Sequence, residues 1–324
     1  MLTPNIKFNN FKKKISKKKI KFTGEKWFKK IKLLDSLGKN YKYNYIKKDL
    51  KKFKKKKNFR LIGMGGSTLG PEAIYQFLKF KIKKNFYFIN NLNQKLDKSY
   101  KNNNCTNIVI SKSGNTLETI LNSNILITNK KNQNIFITEN KNSFLANLAK
   151  DLKAEIVEHK NYIGGRYSVL SEVGMLPAEI MGLDEKKFKR YNYLIKNKKF
   201  INQLIKNVQA ILYYVKQKKL NSIILNYDQF SENLFKWYQQ LVAESLGKKS
   251  KGILPILSSM PKDNHSILQL YLDGPKNNFF TFFYAHEKKS EKVRDHLILK
   301  SHSYLKKKTF SKVLLAQKIG TENI

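Results

Sequence analysis

The stretch Asn107-Ile108-Val109-Ile110-Ser111-Lys112-Ser113-Gly114-Asn115-Thr116 joins an apolar run to a turn of hydroxyl side chains around one glycine. Apolar residues with helical spacing follow directly. In such a strand–turn–helix unit the first backbone N–H groups of the helix are unpaired, and the helix dipole adds positive potential there. Ser111, Ser113 and Thr116 add hydroxyl donors, and Lys112 adds a positive charge. The stretch therefore predicts a site for an anion such as phosphate.

The same turn has a second interpretation, an ordinary helix start. Asn115 and Glu118 have the spacing of a capping box, in which the two side chains satisfy backbone N–H groups. Both interpretations remain open on this stretch alone, because caps are common at helix starts.

Short apolar runs alternate with helical patterns on both sides of this stretch. Strands are predicted at 59–62, 86–89, 107–110, 134–137 and 155–157, and helices at 71–80, 116–127 and 143–152. Short apolar strands between helices are typical of a parallel sheet covered on both faces. The first half of the chain is therefore expected to be a doubly wound α/β domain.

A second alternation follows two long helical patterns, which are predicted at 185–196 and 200–216. Its strands are predicted at 222–225, 253–257 and 279–283, and its helices at 231–246, 265–272 and 309–319. We expect a basic, helical N-terminal arm over 1–50, a first, phosphate-binding domain over 51–182 and a second domain over 183–324. Within the arm, Trp27, Ile31 and Leu34 have helical spacing, and residues 51–57 predict a solvated linker or a helix end.

Composition bounds the class of protein. The chain has 324 residues, of which 41% are apolar, so it has room for two domains with sizeable cores. Lys and Arg number 65 against 23 Asp and Glu, a formal net charge of +42. Nearly all of that excess is lysine, whereas arginine, the residue favoured for bidentate contacts to bases and phosphates, is scarce. We therefore expect no specific nucleic-acid partner.

Cysteine and apolar runs bound the compartment. Cys105 is the single cysteine, so no disulfide can form within the chain, which fits a reducing cytoplasm. No apolar run approaches the length of a membrane span, and the first residues lack the hydrophobic core of a signal peptide. The expected location is the cytoplasm, away from membranes.

The glycine-rich loop at 63–71 follows the first predicted strand. A dinucleotide fingerprint needs glycine at position 68, which is Thr68, and an acid after the second strand, where Asn90 and Asn91 stand. A P-loop needs lysine where Pro71 stands. Sites for NAD and for ATP are therefore disfavoured. What remains is a tight turn, or a loop whose backbone approaches a ligand closely with Ser67 as a donor.

The position of the two loops favours a ligand. Ligands of doubly wound sheets bind at the carboxyl ends of the strands, and both loops follow such ends. Residues 65–67 and 111–116 are thus expected to converge on one small anionic group. A phosphorylated metabolite is the leading ligand.

Five motifs, in order over roughly residues 55–290, resemble the glucose-6-phosphate isomerase family. They are GMGGSTLGP (63–71), SKSGNTLET (111–119), GGRYSVLSEVGMLPA (164–178), QQLVAESLGKKSKG (239–252) and KDNHSILQL (262–270). The resemblance implies two flavodoxin-like αβα sandwich domains of the sugar-isomerase (SIS) type. It also implies an aldose–ketose isomerase that interconverts glucose 6-phosphate and fructose 6-phosphate, after ring opening, through a cis-enediol(ate), in glycolysis and gluconeogenesis.

The resemblance also implies roles for individual residues. Gly66 and Ser67 match the loop that faces the substrate, and the phosphate pocket matches Ser111, Lys112, Ser113 and Thr116. The residues that match the reaction centre are Gly165 and Arg166 for the enediolate, Gln240 and Glu244 for the helix that bears the base, and His265 for ring opening. In the family this histidine comes from the other subunit, so the resemblance implies a homodimer.

The chemistry of three residues agrees with these roles, and each has an ordinary alternative. Glu244 stands in an apolar stretch, where burial would raise the pKa of a base, but it could instead pair with Lys248 or Lys249. Arg166 is suited to stabilise an oxyanion, but it could instead pair with Glu172 or Glu179. Histidine as a residue type is suited to move a proton at the ring oxygen, which favours this role for His265, although a lone histidine at a helix start is often a surface residue. The histidines share no metal-ligand spacing, so neither a metal nor a redox cofactor is expected.

The resemblance fails at the end of the chain. The family uses a lysine on a C-terminal helix for ring opening, and no motif for it is found here. Gly320 predicts a helix stop, and Thr321 with Glu322 predicts a new helix start shortly before the last residue. We therefore expect that the second domain lacks its C-terminal portion. The alternative function is that of an impaired or non-catalytic sugar-phosphate-binding protein, and mannose 6-phosphate stays open as a further substrate.

Overall fold

A computed structural model describes residues 31–38, 40–101, 104–128, 134–190 and 192–324. The predicted N-terminal helix lies mostly outside these residues, including Trp27. Within them, Lys32–Leu37 form a short 3-10 helix rather than an α-helix.

The strands and α-helices of the described residues follow the predicted alternation. The strands are β1 (Asn58–Gly63), β2 (Asn85–Ile89), β3 (Thr106–Ile110), β4 (Asn134–Thr138), β5 (Glu155–Glu158), β6 (Asn221–Asn226), β7 (Leu254–Ser259) and β8 (Asn278–Phe283). The α-helices are α1 (Lys51–Lys54), α2 (Leu69–Phe77), α3 (Leu117–Leu126), α4 (Phe144–Asp151), α5 (Glu172–Ile180), α6 (Glu185–Phe188), α7 (Lys198–Lys216), α8 (Glu232–Leu246), α9 (Leu268–Asp273) and α10 (Phe310–Asn323).

The first sheet is parallel throughout, in the order β2-β1-β3-β4-β5. This is the order of flavodoxin-like doubly wound sheets. Successive residues of a strand point to opposite faces, so Ile108 joins one buried apolar cluster and Val109 the other. Both faces are thus covered, which confirms the expected α/β class.

The second sheet is also parallel, in the order β7-β6-β8. Its first strand lies in the centre, with the second and third on either side, as in the first three strands of the first sheet. A smaller buried cluster contains Ile223 and Leu225 of β6, Tyr227, which directly follows this strand, and Met260. The second predicted α/β alternation is therefore confirmed over these residues.

Helices α2 and α8 join the two sheets. They pack against each other along their length. Gln76 of α2 accepts a hydrogen bond from the backbone N–H of Asn233 at 2.9 Å and donates one to the carbonyl of Gln229 at 3.2 Å. This contact fixes the helix of the second half against the helix that follows the glycine loop of the first.

A loop segment over residues 41–47 packs onto α5. Glu172, the first residue of α5, is fully buried. Its carboxylate accepts hydrogen bonds from the Tyr41 hydroxyl at 2.8 Å and from the backbone N–H of Asn44 at 3.0 Å. Tyr43 donates to the carbonyl of Leu170 at 3.4 Å, in the turn that precedes α5. The segment thus supports the turn that carries Arg166.

Two predictions about helices are wrong. The helix predicted over 185–196 is not continuous: α6 ends at Phe188, where Lys189 is buried against the Tyr41 and Tyr43 rings, and a 3-10 helix forms over Asn192–Lys196. Gly320 is not a stop, because α10 runs through it to Asn323. A single glycine inside a helix costs only about 1 kcal/mol, which neighbouring residues offset.

The lysine-rich stretch 51–57 is also only partly as predicted. It contains the short helix α1, in agreement with a helix end. Phe53, however, is 1% exposed and belongs to the core under the first sheet, so the stretch is not a solvated linker. None of the helices within the described ranges combines the length and apolar character that crossing a lipid bilayer requires.

We expect Tyr41→Phe to lower the free energy of unfolding by about 1–3 kcal/mol, because the buried Glu172 carboxylate loses a hydrogen-bond donor. The ring, which packs against Lys160 and Lys189, is retained. Urea unfolding measures the change. Tyr304→Phe, at a residue 66% exposed, is the control and should unfold like the unchanged protein. Equal unfolding midpoints for both variants would contradict the role given to this hydroxyl.

Candidate active site

The glycine loop and the arginine turn touch each other through their backbones. Gly66 lies so close to Gly165 that a Cβ on Gly66 would overlap its carbonyl group and stand 2.7 Å from the backbone nitrogen of Arg166. The Ser168 hydroxyl donates to the carbonyl of Gly165 at 2.6 Å and lies 3.4 Å from that of Gly66. Only a residue without a side chain fits at position 66, so this contact fixes Arg166 beside the loop.

The glycine loop and the hydroxyl loop leave adjacent strands at the same level. β1 and β3 are neighbours in the sheet, and Gly63 lies opposite Ile110 in their register. Residues 64–67 and 111–116 therefore both begin at one carboxyl edge, as the sequence predicted. Their proximity follows from the parallel pairing rather than from any direct side-chain bond.

The hydroxyl loop folds around its own side chains. The Ser111 and Thr116 hydroxyls share a hydrogen bond of 2.9 Å, and the backbone N–H of Gly114 donates to Ser111 Oγ at 3.2 Å. The Ser113 hydroxyl accepts from the backbone N–H of Asn115 at 3.2 Å. Gly114 has φ +69°, and a Cβ there would overlap Ser143. The loop is thus a preformed, hydroxyl-lined turn.

The capping-box interpretation of this loop is wrong. Asn115 does not cap α3, because its side-chain oxygen accepts from the backbone N–H of Phe144, at the start of α4, at 2.9 Å. Thr116 takes the N-cap position of α3 without a side-chain capping bond. Neither the Asn115 nor the Thr116 side chain therefore caps the first backbone N–H groups of α3. Such a helix start is the geometry that binds phosphate.

Lys112 directs its charge to one side of this loop. Its ammonium donates to the carbonyl of Asn161 at 2.6 Å and lies 3.7 Å from the Glu139 carboxylate. Lys141 also contacts Glu139, at 2.6 Å. In this structure the charge of Lys112 is held between β4 and the turn after β5, at the same edge of the sheet.

An arginine, a carboxylate and an amide from the two halves of the chain meet in one cluster. Arg166 Nη1 donates to Glu244 Oε2 at 3.0 Å, and Gln240 Nε2 donates to Glu244 Oε1 at 2.7 Å. Gln240 and Glu244 are one turn apart on α8. Gly65, with φ +53°, faces the Gln240 amide. The structure therefore brings together the glycine loop, Arg166, Gln240 and Glu244.

Two alternatives for these charges are excluded by this geometry. Glu244 pairs with Arg166 rather than with Lys248 or Lys249. Arg166 in turn does not pair with Glu172, which is bound to the 41–47 segment, nor with Glu179, whose ion pair is with Lys47 at 2.9 Å.

The expected burial of Glu244 is wrong. Its side chain is 48% exposed, although the flanking sequence is apolar. The apolar neighbours do not cover it, because Ala243 is itself exposed and Leu241 and Val242 are only half-buried. Its setting is defined by its two hydrogen-bond donors rather than by an apolar pocket.

Three residues beside this cluster were not singled out from the sequence. The Ser245 hydroxyl accepts from Arg166 Nε at 3.0 Å and lies 2.9 Å from the Tyr167 hydroxyl. The Trp237 indole N–H donates to the carbonyl of Arg166 at 3.1 Å. Ser245 and Tyr167 each follow a predicted site residue directly, which is the one signal the sequence offered.

Arg166 and Tyr167 shift each other's proton affinity. Burial favours the neutral form of each, but their shared contacts outweigh it. Hydrogen bonds and charge interactions with Tyr167 and Glu244 raise the pKa of Arg166. Hydrogen bonds with Ser245 and Arg166 lower the pKa of Tyr167. The guanidinium is therefore a permanent cation at this site.

His265 is not joined to this cluster within the chain. It ends a 3-10 turn over Lys262–His265, after β7, and its side chain is exposed. Asp263 organises that turn by accepting from the backbone N–H of Ser259 at 2.7 Å and from the Ser258 hydroxyl at 2.8 Å. No hydrogen bond to the described residues ties the imidazole to Arg166, Gln240 or Glu244.

One group of carboxylates within the described ranges is spaced closely enough to hold a metal ion. It consists of Glu179, Asp184 and Glu185. Lys47 contacts Glu179 at 2.9 Å and Glu185 at 2.6 Å, so a side-chain cation already bridges two of the three. These residues belong to α5, α6 and the turn between them, and none of them contacts the Arg166 cluster.

Comparisons with known proteins agree with the motifs. The family model of phosphoglucose isomerase matches residues 20–257. A glucose-6-phosphate isomerase from Methanocaldococcus jannaschii is 36% identical over 245 residues, which cover 70% of this chain and 60% of that protein. A probable glucose-6-phosphate isomerase from Methanococcus maripaludis is 31% identical, with 98% of this chain and 75% of that protein covered. The match to the first of these relatives thus spans about three fifths of its length.

Solved structures show the same fold. A hypothetical protein from Thermus thermophilus superposes with a TM-score of 0.72 at 23% identity, covering 85% of this chain and 72% of that one. A glucose-6-phosphate isomerase from Chlamydia trachomatis superposes with a TM-score of 0.62 at 20% identity, covering 85% and 57%. At these identities the likeness concerns the fold.

We expect Gly66→Ala to separate the glycine loop from the arginine turn, because the added Cβ meets rigid backbone rather than a mobile side chain. Binding of fructose 6-phosphate, the ligand that the resemblance of the motifs implies, should weaken by about 10-fold or more when measured by calorimetry. The control is Gly320→Ala, where a Cβ on α10 meets nothing within 4 Å. Binding that is equally tight in both variants would contradict this account of Gly66.

We expect acid to destabilise the protein through His159, which is buried after β5. Burial lowers the pKa of His159 below its ordinary value of 6.5. The unfolded chain then binds a proton at this histidine more readily than the folded one. The contribution of neutral His159 to the free energy of unfolding is therefore present above pH 6.5 and is lost as the pH falls below it. Melting temperatures between about pH 7.5 and about pH 5.5 measure the slope. His159→Gln should flatten it and the exposed-site control His302→Gln should not; equal slopes would contradict the assignment.

Proposed function

Because the chain belongs to the phosphoglucose isomerase family, we propose that it interconverts glucose 6-phosphate and fructose 6-phosphate. The observation that carries this proposal is the meeting of Arg166, Gln240 and Glu244 beside the glycine loop. A carboxylate that is oriented by an amide can act as a general base, and a fixed cation beside it can stabilise the oxyanion that forms when the proton moves.

In this proposal Glu244 is the base that moves a proton between C1 and C2 of the open-chain sugar. Its exposure gives a substrate access to the carboxylate, and its two donors fix the orientation of the carboxylate plane. Arg166 supplies the positive charge that stabilises the enediolate oxygen. The Gln240 side-chain oxygen, buried without a hydrogen-bond partner among the described residues, is placed to accept from a sugar hydroxyl.

The phosphate group is proposed to bind at the hydroxyl loop. The uncapped start of α3 and the hydroxyls of Ser111, Ser113 and Thr116 supply donors there. Lys112 and Ser67 are proposed to complete this edge, with Gly66 and Gly165 giving the backbone close access. Binding the phosphate far from the reacting carbons holds C1 and C2 against Glu244, so that orientation is supplied before the chemical step.

His265 is proposed to assist ring opening from the partner subunit of a homodimer. Two observations support this: the side chain is exposed, and within one chain it has no bond to the cluster. An imidazole can both donate and accept a proton, as ring opening at the ring oxygen requires. We further propose a cytoplasmic location and a role in glycolysis and gluconeogenesis, with no cofactor.

A non-catalytic sugar-phosphate-binding protein is the alternative. It needs the hydroxyl loop but neither Glu244 nor the amide and guanidinium that orient it. The relatives are named as isomerases, and they lend this alternative no support. Turnover separates the two functions directly.

We expect Glu244→Gln to lower turnover of fructose 6-phosphate by about 10²- to 10⁴-fold, because the base is lost while the shape is kept. A coupled assay measures turnover, and calorimetry measures binding, which should change little. Glu232→Gln, at the first residue of the same helix, where the acid forms an ion pair with Lys236, is the matched control. Full turnover in Glu244→Gln would overturn the base assignment, and binding without turnover in the unchanged chain would support the alternative.

A further inference from the structure

Residues that take no part in the proposed chemistry hold Arg166 both at its guanidinium and at its backbone carbonyl. Ser245 accepts from Nε, at 3.0 Å. The Tyr167 ring lies 4.6 Å from the guanidinium carbon, at a distance suited to a cation–π contact. The Trp237 indole holds the Arg166 carbonyl. Such a set of contacts is more than an ion pair with Glu244 requires.

These contacts decide which nitrogens of Arg166 reach Glu244. An arginine and a carboxylate left to themselves prefer two parallel hydrogen bonds. Here Glu244 receives only Nη1, since its other oxygen is taken by Gln240 and Nε is taken by Ser245. The third nitrogen, Nη2, makes neither of these two bonds.

We propose that Ser245, braced by the Tyr167 hydroxyl, positions the Arg166 guanidinium so that it meets Glu244 through one nitrogen and keeps another for the reacting oxygen. The inference rests on the proposed isomerase function and extends it. Ser245 and Tyr167 are positioning residues, because they act through Arg166 and are not assigned a contact with the sugar. Without Ser245 and Tyr167, Arg166 and Glu244 would form two parallel hydrogen bonds with each other. Neither the carboxylate nor the guanidinium would then be available to the sugar.

The placement of the two residues fits this role. Tyr167 follows Arg166 in the first half of the chain, and Ser245 follows Glu244 on α8 in the second. Their hydroxyls lie 2.9 Å apart, so the bond joins the two halves of the site. Ser245 and Arg166 both lower the pKa of Tyr167, in keeping with these contacts.

The test compares Ser245→Ala with Ser245→Thr, which keeps the hydroxyl. We expect Ser245→Ala to lower kcat by about 10- to 100-fold while the KM for fructose 6-phosphate changes by less than about 2-fold. Ser245→Thr should recover most of the loss. In an Arg166→Lys background, which lacks the forked donors, Ser245→Ala should cost little more, because coupled residues are not additive. Ser303→Ala, at an exposed serine, is the control.

A second readout does not depend on activity. Ultraviolet difference titration against Tyr167→Phe isolates the ionisation of Tyr167, and Tyr304→Phe serves as the control. Ser245→Ala should raise the pKa of Tyr167, because a hydrogen bond that lowers it is lost.

The possible failures are distinguishable. No turnover in the unchanged chain would count against the proposed isomerase function. An active enzyme whose kcat is unaffected by Ser245→Ala would overturn the positioning role, even if the variant melts earlier, since a merely structural residue changes stability without changing kcat. A Tyr167 pKa that does not respond to Ser245→Ala would overturn the coupling.

Discussion

The backbone contact between Gly66 and the Gly165–Arg166 peptide is the constraint on which the site depends. It lets a loop of the first sheet lie against the turn before α5 with no side chain between them. Arg166 is thereby placed at the edge of the sheet, where α8 can reach it with Gln240 and Glu244. The Ser168 hydroxyl and the tyrosine-bearing segment over 41–47 hold the same turn from its other sides. A displacement of this turn would move the cation away from the base, so several independent contacts stabilise one position.

Parallel pairing supplies the second half of the arrangement. Because β1 and β3 are adjacent and in register, their loops begin together, and the hydroxyl loop needs no direct bond to the glycine loop to lie near it. The Asn115 side chain accepts a hydrogen bond from the start of α4 instead of capping α3, so the start of α3 stays open to an anion. The proposed site thus has an electropositive end for phosphate and a carboxylate end for proton transfer, each built by a different element.

The distribution of charge shows how a very basic chain arranges its functional groups. Of its four arginines, Arg60 is buried in β1 and donates to the carbonyls of Tyr100 at 3.0 Å and Leu126 at 2.9 Å, while Arg166 forms the site. Among the described residues, most lysines instead occupy exposed positions along the helices and loops, whereas Lys189 is buried. Two of the few acids have specific partners: Glu172 anchors the 41–47 segment, and Glu244 pairs with Arg166. Within the described residues, the excess of positive charge therefore lies mainly at the surface rather than in the site.

The sequence by itself determined the strands, their alternation with helices, and the motifs that identify the family. These are set by local apolar periodicity and by residues close together in the chain, such as Gln240 and Glu244 one turn apart. The sequence-based predictions were wrong where a contact distant in sequence decides the local structure. The predicted helix is interrupted at Lys189, which packs against two tyrosine rings, and the Asn115 side chain bonds the start of α4 rather than capping α3. Only the tertiary structure placed Ser245 and Tyr167 around Arg166 and left Glu244 exposed. The physical reason is that these partners stand 78 or 79 residues apart, and nothing in local spacing records which side chains two packed halves will bring within hydrogen-bond distance.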